Sequence, residues 1–346
     1  MTKKVAVAMS GGVDSSVTAA LLKQKGYDVI GITMQVLSPE SASVDESFAA
    51  GQAAEILGIP HHVIDLRDIF FQRVVTDFCN EYSRGRTPNP CIRCNYYVKF
   101  GALLDYAREL GVDFLATGHY VRVAKSGDRC VLCKGTDYSK DQSYFLYKLT
   151  QPQLKQVLMP LGDLTKEKVR RVANELGLTP TEEGESQEVC FIPDGDYRDF
   201  VAARMPVVSK PGPIENRQGN IIGEHRGIIN YTIGQRRGIG IAAKEPLYVI
   251  DINAERNAIV VGPKDEIYRN ELTATEVNWI SAEAPDQPIE VEAKIRYMHP
   301  AARALIFPLD DGRVRVVFEQ PQMAITPGQA VVFYDGDTIM GGGTIE

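Results

Sequence analysis

The chain has 346 residues, 44% of them hydrophobic and 24% charged, the balance of an ordinary soluble globular protein large enough for two or three domains. No apolar run approaches the ~18 residues of a membrane span, and the first strand starts too early for a signal peptide, so a cytoplasmic protein without a membrane partner is expected. A net charge of −7 argues against a nucleic-acid surface spread over the whole molecule and leaves room for local basic patches.

Residues 5–9, Val5-Ala6-Val7-Ala8-Met9, are an apolar run that predicts a buried strand. A helix over 15–24 with Val17, Ala20 and Leu21 on one face follows, stopped by Gly26. Between them stands Ser10-Gly11-Gly12-Val13-Asp14-Ser15-Ser16. Two glycines let backbone N–H groups converge, and the hydroxyls and the positive helix end complete an anion cradle. The Walker spacing and its lysine are missing. Ser-Gly-Gly-Val-Asp-Ser instead resembles the PP-loop of the ATP pyrophosphatases, which implies cleavage of ATP to AMP and pyrophosphate.

Downstream, the pattern predicts a strand over 28–34, a polar loop, a helix over 46–57 stopped by Gly58, a strand over 62–65 and a helix over 69–82. A helix from about residue 95, carrying Phe100, Leu103, Leu104, Ala107 and Leu110, stops at Gly111, and a strand over 114–117 ends at Gly118-His119. Strand–helix alternation of this kind predicts an α/β, doubly wound parallel sheet. Ligands bind at the carboxyl ends of such strands, which would gather the 10–16 loop, Met34 and Gly118-His119 into one cleft.

The loop Arg84-Gly85-Arg86-Thr87-Pro88-Asn89-Pro90-Cys91-Ile92-Arg93-Cys94 precedes the fourth helix. A placement just before a helix can lower a thiol pKa. A hairpin follows at 121–123 and 130–134, then Lys140-Asp141-Gln142-Ser143-Tyr144-Phe145 opening a short helix and a further helix over 165–176. The polar run 182–188 delivers Cys190-Phe191-Ile192. Proline and glycine at 206–213 mark a boundary, and residues 204–244 hold seven Lys/Arg against two acids, where phosphate-backbone contacts are expected. From about residue 271 the period becomes two, as in Ile289, Val291, Ala293 and Ile295, which predicts a small antiparallel barrel or sandwich.

Six cysteines in such a chain suggest redox or metal chemistry. Two C-x-x-C pairs, Cys91/Cys94 and Cys130/Cys133, invite a four-thiolate zinc site, although the two pairs lie farther apart than compact zinc folds usually place them. Cys79 reads as a core residue and Cys130/Cys133 as uninvolved.

The 10–16 loop, Ala116-Thr117-Gly118-His119-Tyr120, the 140–146 segment, Cys190-Phe191-Ile192, Gly234-Gln235-Arg236-Arg237-Gly238, Thr326-Pro327-Gly328-Gln329-Ala330 and Gly341-Gly342-Gly343 occur in this order. Together they resemble the tRNA-specific 2-thiouridylases over essentially the whole chain. The resemblance implies a PP-loop, adenine nucleotide alpha-hydrolase-like domain over 1–205, a small mostly-β basic adaptor over 206–268 and a β-barrel over 269–346. It implies adenylation of the wobble uridine in tRNAs for Lys, Glu and Gln, then sulfur transfer. Ala8, Met9, Ser10, Gly11, Gly12, Val13, Asp14, Ser15, Met34 and Gly118 would hold ATP with Mg²⁺. Asn89, Pro90, His119, Lys140, Asp141, Gln142, Arg296, Tyr297 and Gln329 would meet the anticodon stem and loop of tRNA. Cys94 and Cys190 match the catalytic cysteines, fed by a persulfide carrier or inorganic sulfide.

One position departs from the pattern: many members carry aspartate where this chain has Cys91. Three thiolates, Cys91, Cys94 and Cys190, resemble the ligand set of a [4Fe–4S] cluster with one open iron, and the expectation leans to that cluster. The other route runs through a Cys190 persulfide and a Cys94–Cys190 disulfide. Two rival readings are a PP-loop ligase of small metabolites and a zinc-stabilised RNA-binding module.

Overall fold

The computed structural model describes residues 2–37, 46–178, 189–192, 196–281 and 283–346. The polar run 182–188 lies outside the described residues. The N-terminal part forms β1 (Lys4–Ala8), β2 (Asp28–Gln35), β3 (His61–Asp65) and β4 (Phe114–Ala116), then the hairpin β5 (Val121–Ser126) and β6 (Arg129–Lys134), then β7 (Val157–Leu158). Five of these make one sheet in the order β3-β2-β1-β4-β7, parallel at every pairing. Chain order reverses direction between β1 and β4, so the carboxyl ends of these two neighbours flank the crevice where such sheets bind ligands.

Helices cover both faces: α1 (Val13–Gln24), α2 (Glu46–Leu57), α3 over residues 67–83, α4 over 90–109, α5 (Lys166–Glu175) and α6 (Tyr197–Arg204). The strand alternation sorts them. Val5, Val7, Val29 and Ala116 bury with α1, α2 and α5, while Ala6, Ile32 and Leu115 point the other way, toward α3 and α4. The sheet is therefore doubly wound, with apolar residues on both faces of its central strands.

The fourth helix starts about five residues earlier than its apolar spacing indicates. Asn89 caps it, Oδ1 accepting from Ile92 N–H at 3.4 Å, and Pro90 fills the first turn. Cys91 and Cys94 consequently stand on the opening turns of α4 and not in a loop. Over Cys94–Ala102 the helix is π-type, as is Phe71–Val75 within α3. Two facing helices widened in this way are typical of functional regions.

The middle part is a four-stranded sheet of β8 (Gly212–Asn216), β9 (Ile221–His225), β10 (Tyr248–Asn253) and β11 (Ala258–Gly262), ordered β10-β11-β8-β9. The last part comprises β12 (Tyr268–Trp279), β13 (Ile289–Lys294), β14 (Ala302–Pro308), β15 (Val314–Met323), β16 (Ala330–Asp335) and β17 (Thr338–Ile345). Their order β12-β15-β14-β13-β16-β17 closes through β12–β17 pairing around Leu272, Val291, Ile306, Val316 and Phe333. Closure removes the sheet edges, and the period-two alternation supplies the inward apolar layer. The β5–β6 hairpin extends this barrel sheet, β6 meeting β17 at Cys133 and Thr338.

Candidate active site

The cradle forms where β1 runs into α1. Gly11 takes φ 76°, a left-handed turn that suits glycine, and Gly12 caps the helix with extended backbone. Ser15 Oγ donates to Gly12 O at 2.9 Å and accepts from Ser10 N–H at 3.2 Å, closing the loop on itself. Ser16 Oγ donates to the same carbonyl at 3.1 Å. Gly118, just past β4, approaches so closely that a Cβ there would lie 3.1 Å from Ser15 N. Met34 lies near the end of β2, half-buried, and Thr33 Oγ1 beside it donates to Met9 O at 2.9 Å. The sheet edge thus brings the 8–15 loop and Gly118 together, with Met34 one strand away.

Two residues that sequence reasoning passed over belong to this cradle. Tyr120 donates its hydroxyl to Asp14 Oδ1 at 2.7 Å, and Lys166 Nζ donates to both Asp14 oxygens at 2.8 Å. Lys166 opens α5, and nothing in a lone helix-start lysine signals a partner more than a hundred positions away.

On the other side of β4, His119 is buried, with Nδ1 2.7 Å from Thr117 Oγ1 and its ring over Phe100. Burial holds its imidazole well below the ordinary value, and the Lys99 ammonium acts in the same direction. The Lys99 charge also acts on Cys94. Burial pushes the Cys94 thiol up, Lys99 offsets part of that rise, and Cys91 adds to it. The lowered thiol expected from a helix start therefore does not hold: desolvation outweighs the neighbouring cation. Asn95, the next residue, donates from Nδ2 to Phe145 O at 3.3 Å.

The iron–sulfur expectation is overturned. Among the described residues, which include Cys91, Cys94 and Cys190, no group of three or more His, Cys, Asp or Glu side chains is placed to hold a metal ion. The reason is geometric. Cys91 and Cys94 ride on α4, while Cys190 is fixed by its neighbour Phe191, buried against Phe70, Phe78 and Phe200 of α3 and α6. The expected disulfide is absent as well, since no cysteine is joined to another. A four-thiolate zinc site fails on the same ground. Cys130 is buried in the hairpin with its N–H on Gln151, and Cys133 turns to Thr338 of the barrel.

The residues expected to meet tRNA fall into three groups. Gln142 Oε1 accepts from Tyr120 N–H at 3.0 Å, beside His119, and Lys140 N–H bonds Asp137 O. Asp141 is buried, accepting from Gly135 N–H, Ser143 N–H and Ser143 Oγ, so it shapes this loop from inside. Tyr297 lies 4.4 Å from the Phe145 ring, and Arg296 donates to Met323 O. Gln329 Nε2 donates to Thr87 O at 2.9 Å and lies 3.4 Å from Pro88 O, while Thr87 N–H bonds Pro327 O. The barrel therefore grips the loop that ends in Asn89 and Pro90.

A second clasp sits inside α4. Arg93, between the two cysteines, donates to Asp77 at 3.1 Å and to Glu276 of the barrel at 3.0 Å. Lys148 donates to the same Glu276 oxygen. Among the described residues no helix is long and apolar enough to cross a membrane.

Comparison with known proteins agrees with this architecture part by part. Residues 3–194 match the family described as tRNA methyl transferase HUP domain, 198–263 the tRNA methyl transferase PRC-barrel domain, and 269–345 the aminomethyltransferase beta-barrel domain. The chain is 49% identical to tRNA-specific 2-thiouridylase MnmA 1 of Caldanaerobacter subterraneus subsp. tengcongensis, covering 100% of this chain and 98% of that protein. It is 50% identical to the MnmA of Pelotomaculum thermopropionicum, over 99% of this chain and 97% of the relative. A solved U34-tRNA thiolase NcsA from Methanococcus maripaludis with its [4Fe-4S] cluster is similar at 22% identity and a TM-score of 0.37, over 60% of this chain and 67% of that one, a distance that carries no inference. With near-complete coverage at about half identity, and with the cradle, barrel and cysteine helix in place, the chain belongs to the tRNA-specific 2-thiouridylase family.

Proposed function

We propose that this protein is an ATP-dependent tRNA-uridine 2-sulfurtransferase acting on the wobble uridine of tRNAs for Lys, Glu and Gln in the cytoplasm. The observation that carries the reading is the position of the cradle: it lies at the β1/β4 crevice, and β4 leads directly to His119, which shares Lys99 with Cys94. In this reading the nucleotide and thiol steps are linked through His119 and Lys99. The three-part division at 1–205, 206–268 and 269–346 supplies a surface for the anticodon stem and loop.

The uracil C2 oxygen is a poor leaving group, so it is activated first. It attacks the α-phosphorus of ATP, the bond to the β-phosphate breaks, and pyrophosphate stays against the 10–16 loop at the start of α1. Mg²⁺ enters as part of the substrate, with the triphosphate whose charge it offsets. A base stacked in an anticodon loop must be flipped out to reach this depth. Asn89, Pro90, His119, Gln142, Arg296 and Tyr297 line the approach in this reading.

Sulfur travels as a persulfide on Cys190, an exposed residue that a persulfide-bearing carrier can reach. Its terminal sulfur attacks C2 and AMP leaves. Cys190 must leave the resting position that Phe191 sets for it; the Cys94 thiolate then attacks the Cys190 sulfur, releasing thiouridine and leaving a transient Cys94–Cys190 disulfide, which an external dithiol reduces. The two cysteines supply the two electrons that reduce the transferred sulfur. Incubation with unmodified tRNA, ATP and a persulfide donor tests this, reading 2-thiouridine and AMP by mass spectrometry. Cys190→Ala is expected to bind ATP and yield no thiouridine. Thiouridine formed at the normal rate by Cys190→Ala refutes the route.

A further inference from the structure

We propose that Lys166 is a positioning residue for ATP, its ammonium neutralising the Asp14 carboxylate within the phosphate cradle. The proposal rests on the reading of the 10–16 loop as the ATP site. Asp14 stands in the first turn of α1, where the helix dipole favours negative charge. A triphosphate seeks the same N–H groups, and a bare carboxylate among them would repel it. The structure answers with three hydrogen bonds to that carboxylate, two from Lys166 Nζ at 2.8 Å and one from the Tyr120 hydroxyl at 2.7 Å.

Lys166 is held in that role. Its side chain is only 12% exposed against 32% for Asp14, and its Nζ sits 5.8 Å from the centre of the Tyr120 ring. Its backbone N–H donates to Asp137 Oδ2 at 3.0 Å. Asp137 also accepts from Ser139 N–H and Oγ, and Tyr120 is fixed through its N–H by Gln142. Both groups that donate to Asp14 are therefore set by the 137–142 segment, the one expected to meet tRNA. An ion pair with one partner a third exposed contributes little to folding stability, so its effect belongs in ligand affinity.

Calorimetric titration of the full chain with α,β-methylene-ATP, which cannot be split between its α and β phosphates, tests this. Lys166→Met removes the charge and keeps the stem; it is expected to weaken the analogue by about tenfold or more. Lys166→Arg is expected to stay within about threefold of the unsubstituted protein, and Asp14→Asn/Lys166→Met to regain most of the loss. Unchanged affinity in Lys166→Met overturns the proposal. So does a double variant as weak as Lys166→Met, which would make Lys166 a direct phosphate ligand. Should Lys166→Met alone lose its thermal transition, the uncharged double variant decides: affinity within about threefold of the unsubstituted protein supports the proposal, and a loss of about tenfold or more overturns it. Failure of the unsubstituted protein to bind the analogue refutes the ATP reading itself, a result separate from a failure confined to the variants.

Discussion

Adding one methyl group at Gly118 should damage ATP use through sterics alone. Gly118 is absent from the residues of positive φ, so alanine meets no backbone strain there. Its Cβ would instead stand 3.0 Å from the Asp14 carbonyl carbon, 3.1 Å from Asp14 Cβ and 3.1 Å from Ser15 N, against 3.4–4 Å for ordinary contact. Two of the three neighbours are backbone atoms of the first turn of α1, which cannot rotate aside. Either that turn retreats by a few tenths of an ångström, or β4 does. Overpacking of this kind costs about 1–3 kcal/mol. The cost divides between folding and ligand binding, so neither measurement alone reports it. Denaturant unfolding of Gly118→Ala with and without α,β-methylene-ATP, together with the KM for ATP from AMP release, captures both parts. The summed loss is expected at about 1–3 kcal/mol, and a tenfold rise in KM accounts for about 1.4 kcal/mol of it. Wild-type unfolding and wild-type KM together would refute the claim that the 118 backbone abuts the cradle.

His119 makes a pH prediction with a definite sign. Its native imidazole resists protonation, whereas in the unfolded chain it takes a proton near the ordinary value of 6.5. The unfolded state binds more protons below that pH, so stability falls as pH drops through it. Unfolding free energies at pH 8 and pH 5 should converge in His119→Gln relative to the unsubstituted protein; parallel losses in both would sink the assignment. At the barrel clasp, Glu276→Ala leaves Lys148 and Arg93, 10% and 16% exposed, without their shared acceptor. A loss of about 1–3 kcal/mol in denaturant unfolding is expected, and a change under about 0.5 kcal/mol would show the clasp to be idle.

Much of this was legible from residues. Glycines at 26, 58 and 111 stop helices because they accept the left-handed turn that ends them, with φ of 84°, 57° and 70°. The cradle was legible because a strand, two glycines and a helix start have one geometric outcome. The start of α4 carried its own signal in Asn89-Pro90, a capping residue and a first-turn proline that outrank the loop composition around them. β7, two residues long, has no period to detect. The π-helical stretch has no composition of its own. The cluster expectation failed for a different reason. Residue type makes Cys190 look like a partner for Cys91 and Cys94, yet its position is dictated by the aromatic contacts of Phe191, which depend on where α3 and α6 pass. Lys166 and Asp14 show the same limit, because an ion pair 152 positions apart leaves no trace in local pattern.

The hold of Gln329 on Thr87 spans 242 positions, and that span orders events during synthesis. Chains emerge from the ribosome at about 5–20 residues per second and fold domain by domain. The strands and helices of the parallel sheet can assemble while the barrel is still unmade. The segment leading into Cys94 cannot be fastened until residues 327 and 329 exist to receive it. A nascent chain would thus own a complete phosphate cradle some time before its thiol helix is locked in register. On the proposed route through Cys94, sulfur chemistry would then belong to the finished molecule, and chains stalled before residue 327 would hold the thiol helix without this clasp.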